Sequence, residues 1–238
     1  MPSPYNLALV EHCSQCSQRQ NPGFCNMAAE PVQALDSMKF TAGYPKGALL
    51  FVEGEQPRGV FILCSGRAKL TTTSSEGRTL IVKIANPGEI LGVSAAILGT
   101  TYEVSAETLE PSQVSFIRRD DFLRFLSAYS EACMQTAQQL SEKYNSAQRE
   151  IRSLGLAHTT SEKLARLLLS WSAHGEETPQ GTRLQVLLTH EEIGQMIGTT
   201  RETVTRLLSE FKRKKLISVK GSSFFVLAKD QMQAMVSI

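Results

Sequence analysis

Three cysteines stand close together near the start of the chain, in HCSQCSQRQNPGFC: Cys13, Cys16 and Cys25, spaced C-x2-C-x8-C, with His12 beside the first. The thiolate is both the ligand of soft metal centres and the reacting form in redox exchange, so this density of thiols points to metal or redox chemistry. A second group lies near the other end: Arg201, Glu202, Thr205 and Arg206. At 100° per residue these four share one face of a helix, clear of Val204, Leu207 and Leu208. A guanidinium fork donates two bonds to guanine O6 and N7, and a carboxylate accepts from cytosine N4, so a mixed Arg/Glu/Arg face suits base reading. The run Lys212, Arg213, Lys214 and Lys215 lies just beyond and suits phosphate contacts. No Ser/His/Asp, His/Glu metal or glycine-rich phosphate motif accompanies these groups, so the chain is not expected to be an enzyme. His158 and His174 read as linker or loop residues, and His190 as a first-turn helix residue.

The segment that must position the Arg/Glu/Arg face is THEEIGQMIGTTRETVTRLLSEFKRKK, residues 189–215. Thr189 is a good N-cap, with Glu192 as its capping-box partner. Gly198-Thr199 makes a tight turn and Thr200 caps a second helix. Ile193, Ile197, Val204 and Leu207 are available to pack the two together. Two short helices joined by a glycine turn form a helix-turn-helix, whose second helix enters the major groove of double-stranded DNA. LISVKG and SSFFVL then predict two strands around a turn, a β-wing. Residues 181–238 carry nine Lys/Arg against five acids, a net +4, while the rest of the chain carries −2. That asymmetry is the electrostatic footprint of nucleic-acid binding.

Upstream, residues 38–118 are short apolar runs punctuated by glycine, with strands expected at 60–63, 68–71 and 79–83 and a hairpin turn at Ser75-Glu-Gly77. Such a pattern predicts an antiparallel barrel or jelly roll. From residue 119 to 156 there is no proline and a single glycine, and Cys133, Ala137, Leu140, Tyr144, Ala147, Ile151 and Leu154 recur at alternating spacings of 4 and 3. That is the heptad seam of a coiled coil and predicts a homodimer. A helix lying on its own barrel would be expected to show a broader apolar stripe. A further helix is expected over 161–171 and a loop over 174–181. The α+β chain thus divides into a cysteine-containing arm (1–29), a barrel (30–125), a dimerisation helix (126–156) and a winged helix-turn-helix (157–238).

With 238 residues, 42% hydrophobic and 20% charged, the chain can bury a full core, which excludes wholesale disorder. No apolar run approaches the roughly 18 residues of a membrane span. The first ten residues lack a basic stretch followed by an apolar one, and five cysteines are too few for a disulfide scaffold. A cytoplasmic protein is expected.

IGQMIGTTRETVTRLL, preceded by a glycine-rich barrel and a long helix, resembles the family of the cAMP receptor protein and the fumarate–nitrate reduction regulator, over about residues 30–235. The resemblance implies a bacterial transcription regulator with a cyclic-nucleotide-binding-type barrel, and RNA polymerase as a further partner. In the receptor-protein branch an Arg-Glu-xxx-Arg set reads a TGTGA-like half-site; Arg201, Glu202 and Arg206 occupy those places. The oxygen-sensing branch has an apolar residue at the first of them and prefers a TTGAT-like half-site.

What the barrel senses is a separate question. Cyclic-AMP-binding members carry a cassette like GELAL, followed by Arg-Ser/Thr. The matching stretch is GEILGVSAA from Gly88, with Val93 where the ribose-binding glutamate would stand and no arginine in the following LGTTYEV. An anionic ligand without its arginine loses its bidentate contact, so cAMP is not expected, and Gly88 and Gly92 read as barrel turns. The oxygen-sensing branch instead holds a [4Fe–4S] cluster on an N-terminal cysteine set. Two departures stand out: the second spacing is longer here, and Ser115 occupies the late barrel strand where that branch has its fourth cysteine. Cys64, Cys133 and His12 remain as candidates, with Cys64 read as strand core and Cys133 as part of the helix seam. The triad is therefore consistent with an iron–sulfur cluster, a thiol switch or zinc site, or no sensing role. Haem or a small effector in the barrel, or a cysteine-independent regulator, are the alternatives.

Overall fold

The computed structural model describes residues 5, 7–21, 23–156, 159–173, 175–186, 188–220 and 223–236, with the side chains of 149, 150, 152–156, 185 and 220 outside the description. The chain divides into two compact units, 1–146 and 147–238.

The first unit is a jelly roll of two antiparallel sheets. One contains β1 (Phe40–Tyr44), β3 (Gly59–Ser65), β6 (Ile90–Leu91) and β8 (Ser112–Arg118) in the order β1-β8-β3-β6. The other contains β2 (Leu49–Phe51), β4 (Ala68–Thr73), β5 (Thr79–Ala85) and β7 (Ser105–Thr108) in the order β2-β7-β4-β5. The expected hairpin turn closes by a bond from the Gly77 N–H to Ser74 O at 2.9 Å, with Gly77 at φ 79°, where a side chain would be strained.

Strand alternation sorts β3 into two faces. Phe61 and Leu63 point between the sheets, where they meet Phe51, Leu70, Leu91, Tyr102 and Val114. Val60 and Ile62 point outward, under α1 (Ala29–Met38) and α3 (Arg119–Ala128), while the short α2 (Val93–Leu98) follows β6. The N-terminal arm packs on the same outer layer. Its Phe24 is fully buried, with ring centroids 6.4 Å from Phe122 and Phe125. Gln113 holds the arm's backbone at Val10 through both amide and carbonyl.

The long helical stretch is two helices. Tyr129 adopts an extended conformation between α3 and α4 (Ser130–Leu156), and its ring packs on Phe125 at 5.2 Å. Packing the half-buried Tyr129 on the core turns the chain without proline or glycine, which composition does not reveal.

α4 carries two stripes. Ala132 and Thr136 are buried, Gln139 brackets Ile90 by bonds to its amide and carbonyl, and Lys143 donates to the same carbonyl at 3.1 Å. Burial beside Lys83 pulls Lys143 down to about 8. The helix therefore does lie on its own barrel, against the expectation that this would need a broad apolar stripe: small and polar side chains that satisfy β6 do the work. On the other stripe Cys133, Ala137, Tyr144, Ala147 and Ile151 are exposed, with Tyr144 at 65% and Ile151 at 69%. Leu140 is half-buried and leans on the barrel's outer core. Leu154 lies outside the described side chains.

In the second unit, α5 (Thr160–Ser172), α6 (His190–Ile197), α7 (Arg201–Arg213) and α8 (Lys229–Val236) share one core with a sheet. That sheet is β9 (Glu176–Thr178), β10 (Gly181–Gln185), β11 (Ile217–Lys220) and β12 (Ser223–Val226), ordered β11-β12-β10-β9. The expected loop at 174–181 is therefore partly a hairpin. Pro179 cannot join a ladder but fits its turn, which Thr178 Oγ1 closes by donating to Gly181 O at 2.6 Å. The expected wing, β11 and β12, is present, with its tip at 221–222 outside the described residues. Among the described residues no helix is long and apolar enough to cross a membrane.

Candidate DNA-reading surface and cysteine site

The capping box at α6 forms as its residue types dictate. Thr189 Oγ1 accepts from the Glu192 N–H at 3.2 Å, and the Glu192 carboxylate accepts from the Thr189 N–H at 2.9 Å. Gly198 then turns the chain at φ 68°, and the Thr199 N–H reaches back to Gly194 O at 2.9 Å. Gly194 is a requirement the sequence reading missed: a Cβ there would sit 2.7 Å from Thr199 O, so the turn can fold against α6 only over glycine. Thr200 caps α7 by accepting from the Thr203 N–H at 3.3 Å.

Val204, Leu207, Leu208 and Phe211 of α7 are buried, which leaves Arg201, Glu202, Thr205 and Arg206 exposed on one side. Thr205 Oγ1 donates to Arg201 O and lies 2.9 Å from His190 Nδ1. His190 thus borders this face, which its first-turn position did not suggest. Burial, Lys212 and Arg201 hold its pKa below the ordinary value, so it is a neutral partner at pH 7. Glu202 is held ionised, its pKa lowered by hydrogen bonds from its own backbone and from Thr200, with a further contribution from Arg201. Lys212, Arg213, Lys214 and Lys215 are exposed at the end of α7, where Lys214 pairs with Glu210 at 2.8 Å.

The structure gathers the arm's thiols. Cys13, Cys16 and Cys25 line one cavity of about 20 Å³, together with Gln18, Arg19, Val32, Leu35, Ile62, Ser115 and Cys64. Cys64, read as strand core, does pack on the barrel's outer core, and it also borders this cavity. It shares the outward face of β3 with Val60 and Ile62, is half-buried, and its Sγ lies 3.3 Å from Ser115 Oγ. Cys133 is exposed on α4, and neither it nor His12 lines the cavity.

Two short 3-10 turns, Cys13–Gln15 and Ser17–Gln20, present the first thiols, and the Asp36 carboxylate accepts the Cys13 N–H at 2.8 Å. Burial pushes the Cys13 and Cys25 thiols up to about 12 and raises Cys64 as well. A bound cation would reverse that balance and favour their thiolates.

The donor set fits an iron–sulfur centre: soft thiols, an apolar wall and a buried Arg19 Nε with no hydrogen-bond partner among the described residues. Among those residues no three metal-ligating side chains are gathered closely enough to hold a metal ion as they stand. The cavity as it stands has room for about one water.

A capped helix-turn-helix with a polar Arg/Glu/Arg face and a wing defines a DNA-binding transcription regulator. Comparison with known proteins agrees. The cyclic nucleotide-binding domain family matches residues 42–129, and the Crp-like helix-turn-helix domain matches residues 162–235. The chain is 29% identical over 222 residues to the transcriptional activator protein anr of Pseudomonas aeruginosa, covering 91% of this chain and 88% of that protein. It is 24% identical over 184 residues to the cAMP-activated global transcriptional regulator CRP of Pasteurella multocida, covering 77% and 88%. FixK2 from Bradyrhizobium japonicum has the same fold, with a TM-score of 0.73 at 18% identity, over 84% of this chain and 98% of that one. The chain belongs to the family of the cAMP receptor protein and the fumarate–nitrate reduction regulator.

Proposed function

We propose that this regulator acts as a homodimer on an approximately palindromic TGTGA-like site, and that Cys13, Cys16 and Cys25 hold a [4Fe–4S] cluster through which it senses oxygen or redox state. The observation that carries the DNA reading is the exposed Arg201/Glu202/Arg206 face on a helix anchored by Val204, Leu207 and Phe211. A two-fold dimer places two such helices about one helical turn of DNA apart. The exposed seam of α4 supports that dimer. Contact with RNA polymerase would then set the direction of regulation.

The sensor reading is supported by the shared cavity of the thiols, and by a barrel interior filled with Phe51, Phe61 and Tyr102, with Phe51 and Tyr102 stacked at 4.2 Å. The filled interior weighs against a cyclic nucleotide, haem or other effector there. When bound, such a cluster supplies one-electron and oxygen-sensitive chemistry.

The chain's own residues transmit the state of the site. Just after Cys25, Asn26 O accepts from Gln135 at 3.3 Å, and the Ala28 N–H donates to Glu131 at 2.9 Å. The first two turns of α4 are thus tied to the cysteine loop, and the seam continues along the same helix. Glu131→Ala is expected to leave metal content and dimerisation intact. It should shrink the ratio of DNA affinities between air-free and air-exposed protein toward one, from the roughly 5–150-fold typical of coupled sites. Fluorescence anisotropy under both conditions measures it; a full response in the variant would remove these contacts from the relay.

Arg206→Ala tests the DNA reading. It is expected to cost roughly 1–3 kcal/mol at a TGTGA-like palindrome and to relax preference at one base pair. Lys212→Ala should weaken all sequences alike and lower the salt slope by about one. Lys212 is the cleaner phosphate probe because Lys214 is already paired with Glu210. If Arg206→Ala also loses affinity uniformly across sequences, direct readout by this face is wrong.

A further inference from the structure

We propose that Cys64 is the fourth thiolate of the site formed by Cys13, Cys16 and Cys25, supplied from β3 in place of the thiol that Ser115 lacks on the neighbouring strand β8. This rests on the cluster reading above and goes beyond it by naming the ligand set.

Strand parity is the first argument. Val60, Ile62 and Cys64 share the outer face of β3, and Gln113, Ser115 and Ile117 alternate likewise along β8. The two strands pair antiparallel, with Ile62 opposite Ser115, and a register shift falls between Leu63 and Ser65. Cys64 Sγ therefore lies against Ser115 Oγ at 3.3 Å, and both border the cavity lined by the other three thiols. A thiol on β3 at this point reaches the space that a thiol at 115 would reach.

Selectivity is the second. Four of the chain's five cysteines line this one cavity, although Cys64 is 39 residues beyond Cys25 in sequence. The fifth, Cys133, is exposed on α4. Chance packing of an apolar cysteine would not require three further thiols at the same wall.

The third is charge. The cavity is lined by apolar groups and thiols with Gln18, Ser115 and Arg19, and Arg19, which donates to Met27 O at 3.2 Å, carries a buried Nε with no partner among the described residues. A tetrathiolate centre is anionic, and an N–H aimed at its sulfurs is the kind of donor that such centres take up. Ligation is a proton exchange: four S–H bonds break, four Fe–S bonds form, and the four protons pass to water, with no oxidant or reductant consumed.

The full-length chain, purified without air, decides the matter by iron and sulfide analysis, visible absorption and the rate of bleaching in air. Cys64→Ser is expected to bleach at least about tenfold faster than the wild type or to arrive without iron, since even groups that only support a ligand are worth 10–100-fold. Cys133→Ser should match the wild type. The double variant Cys64→Ser with Ser115→Cys should recover the wild-type colour, iron and sulfide, because it returns a thiol to the same wall from the adjacent strand. That rescue separates loss of a ligand from loss of the fold. A Cys64→Ser protein with wild-type metal content and bleaching rate overturns the assignment, as does a defect that Ser115→Cys does not repair. A wild-type protein free of iron and sulfide would overturn the cluster reading itself, and this inference with it.

Discussion

Ile151→Glu is expected to convert the protein from dimer to monomer at micromolar concentration in sedimentation, and to abolish its binding to a two-half-site palindrome. In the single chain Ile151 is 69% exposed, so the change costs the protomer's own fold little. The cost falls on association. In a two-fold seam each position recurs on the partner, so two carboxylates are buried and face like charge. At several kcal/mol for uncompensated burial, and about 1.4 kcal/mol per decade of affinity, the dimer should weaken by roughly a thousandfold or more. DNA binding collapses with it, because a lone protomer engages only one half-site and loses the gain from linking two. Unchanged far-ultraviolet dichroism would confirm that the helix survives. A variant that remains dimeric would take this stripe of α4 out of the interface.

The second large effect concerns the arm. Protein prepared without air should be brown and should bleach within minutes of exposure, whereas Cys16→Ser should be colourless with little iron. Cys16 lies between two 3-10 turns and lines the cavity without lying in the main core, so its loss removes a ligand and little packing. Cys25 is less suitable as a probe, because it packs beside the buried Phe24. If the cluster is the switch, the DNA affinity of the wild type changes on bleaching and that of Cys16→Ser does not respond to air. A wild-type protein that is colourless and iron-free without air, and that binds DNA equally with Cys13, Cys16 and Cys25 all replaced by serine, would reduce the arm to a passive structural segment.

The parts of this protein that are legible in the sequence are those whose causes are local. Thr189 and Glu192, Gly198 and Thr200 each act within one turn of their own position, so the two helices and the face carried by Arg201, Glu202 and Arg206 follow from spacing alone. The hairpin at Gly77 and the exposed stripe through Tyr144 and Ile151 are likewise short-range patterns. The sequence also places Cys13, Cys16 and Cys25 within reach of one another, because the chain between them is short.

Tertiary structure decided what depends on apposition of distant segments. The break at Tyr129 goes with a half-buried ring packed on Phe125, and the contact of α4 with the barrel with Gln139 and Lys143 satisfying the backbone of Ile90; neither leaves an apolar signature. β9 exists because β10 offers it an edge, and α8, which has no strong pattern of its own, is held by burial of Met232 and by Arg166 donating to Val236 O. Gly194 is required by an oxygen that only the folded turn brings within 2.7 Å. Cys64 is the sharpest case. Its sequence neighbourhood is that of an ordinary buried strand, and its place beside the arm's thiols comes from the parity of β3 and its pairing with β8. Periodicity can say that a side chain alternates, but which face the arm will cover is settled only when Phe24 is buried against α3.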